Sequence, residues 1–179
     1  MTHKISLPFA GGFVVRTLEV SDLTDAYLAW FNSDYVKRGL NISTRAFTLF
    51  DHMRHIEQCR DEGFLLLTIA DAANLGLNCY LKVRFDKTHK LADFDLAMDR
   101  ALQDRAELLL NASRVLMRHL FKRMGVAKVK LRINRANAAA RLYADQSKFQ
   151  LEGVLRSEVL TPNGKRDDIL LYALFPEPK

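Results

Sequence analysis

The chain has 179 residues, and 27 Lys and Arg against 21 Asp and Glu give it a formal charge of +6. At roughly 100–200 residues per domain the length predicts one domain over residues 1–179, and 49% apolar with 27% charged residues is an ordinary globular mixture that excludes a disordered, collagen-like or low-complexity chain. Cys59 and Cys79 are the only cysteines, too few for a disulfide framework or a four-cysteine zinc site, and neither a secretory leader nor a run approaching about 18 apolar residues occurs, so a cytoplasmic chain without a membrane partner is expected.

Gly11 and Gly12 precede residues 13–18, Phe-Val-Val-Arg-Thr-Leu, whose β-branched content predicts a first strand. Ser21 and Asp22 read as the N-cap of a helix carrying Leu23, Ala26, Tyr27, Trp30 and Phe31 at three- and four-residue spacing, with Trp30 in the core. Residues 36–43 read as loop, and a second helix places Leu49, Met53, Ile56 and Cys59 inward before closing at Gly63. Residues 64–69 are an apolar run too short for a helix, hence a buried strand, with residues 75–85 as its hairpin partner. In that partner Tyr80, Lys82 and Arg84 alternate with Leu81, Val83 and Phe85, one wet face and one dry. Residues 91–98 complete a meander, with Asp93 and Asp95 on one face and Phe94 and Leu96 on the other.

Residues 108–124 form the strongest predicted helix, with Leu109, Ala112, Leu116 and Leu120 on one side, Arg114, Arg118 and Lys122 on a solvated side, and Gly125 as its stop. A strand over 127–133, a helix over 137–146 and a hairpin of 150–160 with 169–175 through Thr161-Pro162-Asn163-Gly164 follow. The order of elements describes an α/β plan with a mixed sheet. Basic residues are interspersed with acidic ones from Arg16 to Lys165 without a five-residue block, so nucleic acid is not an expected partner.

Residues 129–143, Val-Lys-Leu-Arg-Ile-Asn-Arg-Ala-Asn-Ala-Ala-Ala-Arg-Leu-Tyr, followed by residues 149–156, Phe-Gln-Leu-Glu-Gly-Val-Leu-Arg, resemble the C-terminal half of the GNAT superfamily of acetyl-CoA-dependent N-acetyltransferases. The branch of the ribosomal-protein N-terminal acetyltransferases and amino-sugar acylating relatives is the most similar. Asn137, Ala140, Phe149, Glu152, Gly153 and Arg156 stand at that branch's spacing, and residues 27–32, Tyr-Leu-Ala-Trp-Phe-Asn, look like its first helix. The resemblance covers roughly residues 14–174 and implies a GNAT-like central mixed, mostly antiparallel sheet of about seven strands flanked by about four helices. It also implies acetyl-CoA as cosubstrate, with Leu96, Ala97 and Met98 beside the acetyl and pantetheine arm, the loop Gln103, Asp104, Arg105, Ala106, Glu107 and Leu108 at the pyrophosphate, and Asn137 and Ala140 on the following helix.

Three departures bear on function. Ala106 and Leu108 stand where the family's cofactor loop carries Gly and Gly or Ala, so a side chain can block close approach of backbone to phosphate, and Asp104 and Glu107 repel an anion that Arg100, Arg105 and Arg141 could attract. Lys148 replaces a glycine, and a positive φ there would strain it by about 1–2 kcal/mol. Many relatives place a thiolate-protonating Tyr seven residues after the Asn; here that position is Ala144, and Tyr143, one residue early, would reach the site only through a local shift of its helix.

Transfer of an acetyl group to an amine needs a route for the amine's proton and donors for the developing oxyanion. Asp93 and Asp95 are the candidates for base or ammonium ligand, and Tyr143 for general acid. His52 and His55 lie three apart on a helix that relatives use to wall the acceptor pocket, but without a third ligand they predict no metal. Cys59 and Cys79 would need an adjacent His to act as nucleophiles, and no nucleophile elbow, phosphate-binding loop or dinucleotide fingerprint occurs.

The resulting expectation is an acetyl-CoA-dependent N-acetyltransferase for a protein N-terminus, an amino sugar or another small amine, acting as a monomer or homodimer. The alternative is a non-catalytic domain of the same fold that has lost its pyrophosphate loop.

Overall fold

Turn chemistry and apolar alternation organise the first half of the chain. The computed structural model describes residues 4–40, 42, 45–71, 73, 75–99, 106–161 and 164–177. Strands β1 (Ser6–Pro8) and β2 (Val14–Thr17) pair antiparallel across a short turn, and helices α1 (Asp25–Phe31), α2 (Asp34–Leu40) and α3 (Leu49–Asp61) follow. Next come β3 (Leu65–Ala70), β4 (Cys79–Asp86), β5 (Leu91–Met98), α4 (Ala106–Lys122), β6 (Lys128–Asn134), α5 (Ala138–Gln146), β7 (Gln150–Leu160) and β8 (Arg166–Leu174).

The eight strands form one mixed, mostly antiparallel sheet in the order β1-β2-β3-β4-β5-β6-β8-β7. Helices α4 and α5 cover one face, where Leu108, Ala112, Leu116 and Leu120 meet Val15, Leu67, Leu81, Val83, Phe94 and Val129. Helices α1 to α3 cover the other, where Tyr27, Trp30, Phe31, Val36, Ile56 and Cys59 pack on Leu18, Leu66, Tyr80 and Ala97. At about 1.5–3 kcal/mol per fully buried aliphatic side chain, the α4 stripe alone anchors its face.

The α/β plan with a mostly antiparallel sheet is the one expected, with one strand and one helix more among the described residues. Strand β1 is too short and too rich in polar and Pro residues to show alternation. Helix α2 replaces the expected loop at 36–43: seven residues are too few for a periodic signal, but Val36 is fully buried and an Arg38–Asp34 ion pair at 3.0 Å spans its length. Helix α1 is capped by Thr24, whose Oγ1 accepts from the Tyr27 N–H at 3.1 Å, and not by Ser21 or Asp22. Asp22 is engaged elsewhere, in a bidentate pair with Arg16 at 2.7 Å for both bonds. Strand β4 begins at Cys79 and not at residue 75, because Asp71 Oδ1 accepts from the N–H groups of Ala73 and Leu75 and turns the chain away.

Strands β5 and β6 are the one parallel pair among the described residues, and their pairing runs only through Leu91–Lys128, Ala92–Val129 and Asp93–Lys130. Beyond it β5 continues to Met98 on β4, and β6 continues to Asn134 on β8. The two strands therefore diverge, leaving a wedge in the middle of the sheet.

Candidate active site

Two chambers meet at this wedge. On the α3 side lies a cleft of about 1000 Å³ that reaches Asp95 and Leu96 on one arm of the wedge and Leu131, Arg132 and Ile133 on the other. Within the wedge itself lies a narrower chamber of about 210 Å³ between Leu96, Ala97 and Met98 of β5, Tyr35, Val36 and Gly39 of α2, Leu109 and Leu110 of α4, and Ala139 of α5. Gly39, Leu96, Asn137, Ala140 and Tyr143 line both, so the two spaces adjoin at the gap.

The expected cofactor residues Leu96, Ala97, Met98, Asn137 and Ala140 thus share the small chamber. Asn137 is there as an N-cap, its Oδ1 accepting the Ala140 N–H at 3.0 Å, which starts α5 where β6 ends. Helix α4 likewise begins beyond the end of β5, so two helix N-termini follow the ends of the two diverging strands. Gln103, Asp104 and Arg105, with Arg100, lie outside the described residues. Ala106 opens α4, Glu107 is exposed in its first turn, and Leu108 packs into the core. The first turn of α4 rotates the Leu108 side chain inward. Arg141 is exposed on α5.

Tyr143 lines the junction of the two chambers, and α5 runs without interruption from Ala138 to Gln146. Ala144, the position expected to face the site, is fully buried in the core. The Tyr143 hydroxyl donates to Ser113 Oγ of α4 at 2.7 Å, and burial pushes its pKa up to about 12. Lys148 has φ +62°, the left-handed conformation expected of the replaced glycine.

Asp93 and Asp95 share a face as their spacing requires, but the two have different surroundings. Asp93 pairs with Lys130 at 3.1 Å at the closed end of the wedge and does not line the cleft. Asp95 lines the cleft beside the opening and pairs with Arg84 at 3.1 Å; its carboxyl lies above the usual range because burial outweighs the cations Arg84 and Lys82.

Helix α3 walls the cleft opposite the sheet. His52 is buried against Phe31 in a perpendicular contact with ring centroids 4.5 Å apart, and burial lowers its pKa. His55 Nε2 stands 3.1 Å from the Tyr80 hydroxyl and 3.6 Å from Cys59 Sγ. Burial, then the neighbouring Lys82 and His52, hold His55 at about 4. Cys59 does have the His neighbour a nucleophile would need, but its side chain is enclosed and burial raises its thiol pKa; burial likewise pushes Cys79 up to about 12. Among the described residues no group of three or more His, Cys, Asp and Glu could hold a metal, and no helix is long and apolar enough to cross a membrane.

Tyr80 is the site residue that sequence reasoning missed. Alternation placed it on a wet strand face, yet it is only 7% exposed because α3 closes over that end of β4. An aromatic residue leading the charged pair Lys82 and Arg84 was the available signal. The β7–β8 hairpin adds Val159 to the cleft after an irregularity between Leu155 and Val159, where Ser157 takes φ +51°.

No family model and no curated protein sequence matches the chain. Solved structures do match. A RimL ribosomal L7/L12 alpha-N-protein acetyltransferase in complex with coenzyme A superposes with a TM-score of 0.84 at 17% identity, covering 98% of this chain and 100% of that one. A ribosomal-protein-S5-alanine acetyltransferase from Vibrio fischeri gives 0.80 at 15% identity, covering 97% of each chain. An acetyltransferase of the GNAT family from Bacillus anthracis gives 0.75 at 13% identity, covering 97% of this chain and 100% of that one. With a sheet that parts between its one parallel pair and helices starting beyond both diverging strands, this chain has the fold of the GNAT acetyltransferases.

Proposed function

We propose that the chain is an acetyl-CoA-dependent N-acetyltransferase acting on a primary amine. The carrying observation is that the two chambers adjoin at the wedge and share five lining residues, which brings an acyl donor in the small chamber next to an acceptor in the cleft under α3. The small chamber suits the thin, uncharged arm of coenzyme A: Leu96, Ala97, Met98, Ala139 and Ala140 line it with apolar atoms. The N-termini of α4 and α5 favour the anionic end of the same molecule. Acetyl-CoA supplies an activated acetyl group, and the protein's work is to align the amine with it, take up the amine's proton and exclude competing water.

Asp95 holds the acceptor ammonium beside the wedge, in the orientation kept by Arg84. Tyr143 is the donor to the departing thiolate in this reading, its hydroxyl proton turning from Ser113 Oγ to the sulfur. Asp93, paired to Lys130, sets the point where the strands separate. A cleft of about 1000 Å³ is large for a simple amine and accommodates the first residues of an extended peptide. With the RimL structure acting on a protein N-terminus, the favoured acceptor is an N-terminal α-amino group. The whole chain, residues 1–179, acts as one domain in this reading.

Thermal unfolding with and without acetyl-CoA tests the cofactor half. A ligand at 100 times its dissociation constant adds about 2.7 kcal/mol, which raises the midpoint of a domain this size by about 5–10 °C. Release of free thiol with a panel of N-terminal peptides, amino sugars and diamines tests the acceptor. No shift with acetyl-CoA would leave the non-catalytic reading, which the glycine-free segment at residues 103–108 favours.

A further inference from the structure

We propose that Tyr80 and His55 form the proton exit of the acceptor cleft, the Tyr80 hydroxyl taking a proton from the acceptor ammonium while passing its own to His55 Nε2. This inference rests on the acetyltransferase reading and adds to it the route by which the amine is made neutral. The pair is built by tertiary contact. Tyr80 lies directly across the β4–β5 ladder from Ala97, which lines the acyl-donor chamber, and His55 reaches Tyr80 from α3 at 3.1 Å. Their rings lie within 17° of parallel at 6.2 Å, and both side chains line the cleft.

The proton balance closes without another reagent. With the neutral imidazole carrying its hydrogen on Nδ1, Nε2 accepts from the Tyr80 hydroxyl. One N–H bond of the ammonium breaks as an O–H bond forms on Tyr80, and the original Tyr80 O–H bond breaks as an Nε2–H bond forms. The amine and the phenol end neutral and the imidazolium carries the charge. Water in the cleft takes the Nδ1 proton, and tautomer exchange through solvent restores the start.

The surroundings keep both groups neutral at rest, so the relay stores no charge. The groups facing the pair are Lys82 and Arg84 on β4, Asp95 on β5, Tyr27 on α1, and His52, Cys59 and Glu62 on α3 and its C-terminal end. Lys82 and burial keep His55 neutral near pH 7, free to accept, and make the imidazolium short-lived. Burial and the Asp95 charge keep the Tyr80 phenol protonated, so it bridges without ionising. Asp95 itself is committed to Arg84 and holds the ammonium in place.

The test compares wild type, Tyr80→Phe and His55→Gln in the full chain, reading kcat/KM for an N-terminal peptide as a function of pH and acetyl-CoA affinity by calorimetry. Both variants should bind acetyl-CoA as wild type does and lose roughly a hundredfold in kcat/KM below the acceptor's pKa, about 8 for an α-amino group. The loss should shrink as pH rises through that pKa, because an already neutral amine needs no proton exit; a purely structural defect would not depend on pH in this way. If Tyr80→Phe fails to fold, His55→Gln carries the same pH readout. Wild type that transfers acetyl while folded variants keep full activity, or lose it equally at every pH, overturns the relay alone. Wild type that neither binds acetyl-CoA nor transfers acetyl overturns the acetyltransferase reading and the relay with it.

Discussion

The two chambers at the wedge are built from opposite materials. The one between α2, α4, α5 and the end of β5 is lined mainly by Leu, Ala, Val and Met side chains, with Tyr35, Asn137, Tyr143 and Gln146 as its polar groups. The one under α3 is lined by ionised and aromatic groups, among them Asp51, His52, His55, Tyr80, Arg84 and Asp95. A site that recognises its ligand through backbone and apolar packing tolerates many sequences, whereas a site that must hold an ammonium and move its proton is specified side chain by side chain. In the proposed reading the first chamber takes the acyl donor and the second the acceptor, and what the solved structures of 13–17% identity share with this chain is the fold that sets the two side by side.

Filling the small chamber should separate the two most sharply. Ala140→Trp projects an indole into the junction, and acetyl-CoA affinity should fall by at least about a hundredfold, or about 2.7 kcal/mol, in calorimetric titration, with the unliganded melting point little changed. Asp95→Asn acts on the other side. Losing one charge-assisted contact of about 1.5–3 kcal/mol should lower kcat/KM for the acceptor by roughly ten- to a hundredfold and leave acetyl-CoA binding intact. Loss of cofactor affinity in Asp95→Asn would show the chambers to be coupled.

The acceptor side should also be the acid-sensitive one. His52 and His55 are held neutral by burial, so their folded pKa values lie below the unfolded value and the unfolded chain binds more protons between the two. Their contribution to stability is complete above about pH 6.5 and is lost as pH falls toward about 4, where His55 titrates in the folded protein. Denaturant midpoints should fall over that window, and His55→Gln should flatten part of the slope. Away from both chambers, Lys148→Gly should stabilise the fold by about 1 kcal/mol, a few degrees in the melting midpoint, because φ +62° is free of steric strain only for glycine.

Much of the frame was legible in the chain. The 150–160 strand, the 91–98 strand and the long helix before Gly125 appear in the structure with boundaries equal or within two residues, since long periodic segments declare themselves. The short elements β1 and α2 did not, because three and seven residues give no period, and α2 is held by burying Val36 more than by local propensity. Within the site, Asp93 and Asp95 were indistinguishable by spacing. Only the end of β5–β6 pairing between them separates an ion pair at the closed end from a carboxylate in the cleft.

The amino-acid order by itself determined the strands and long helices of the α/β plan and the shared face of Asp93 and Asp95, because each depends on neighbours within a few residues along the chain. The tertiary structure alone decided the inward turn of Leu108, the placing of Tyr143 at the junction and the meeting of His55 with Tyr80. Those depend on which helix lies over which strand, and residues 25 positions apart come within 3.1 Å only when burial of α3 against the sheet brings them there.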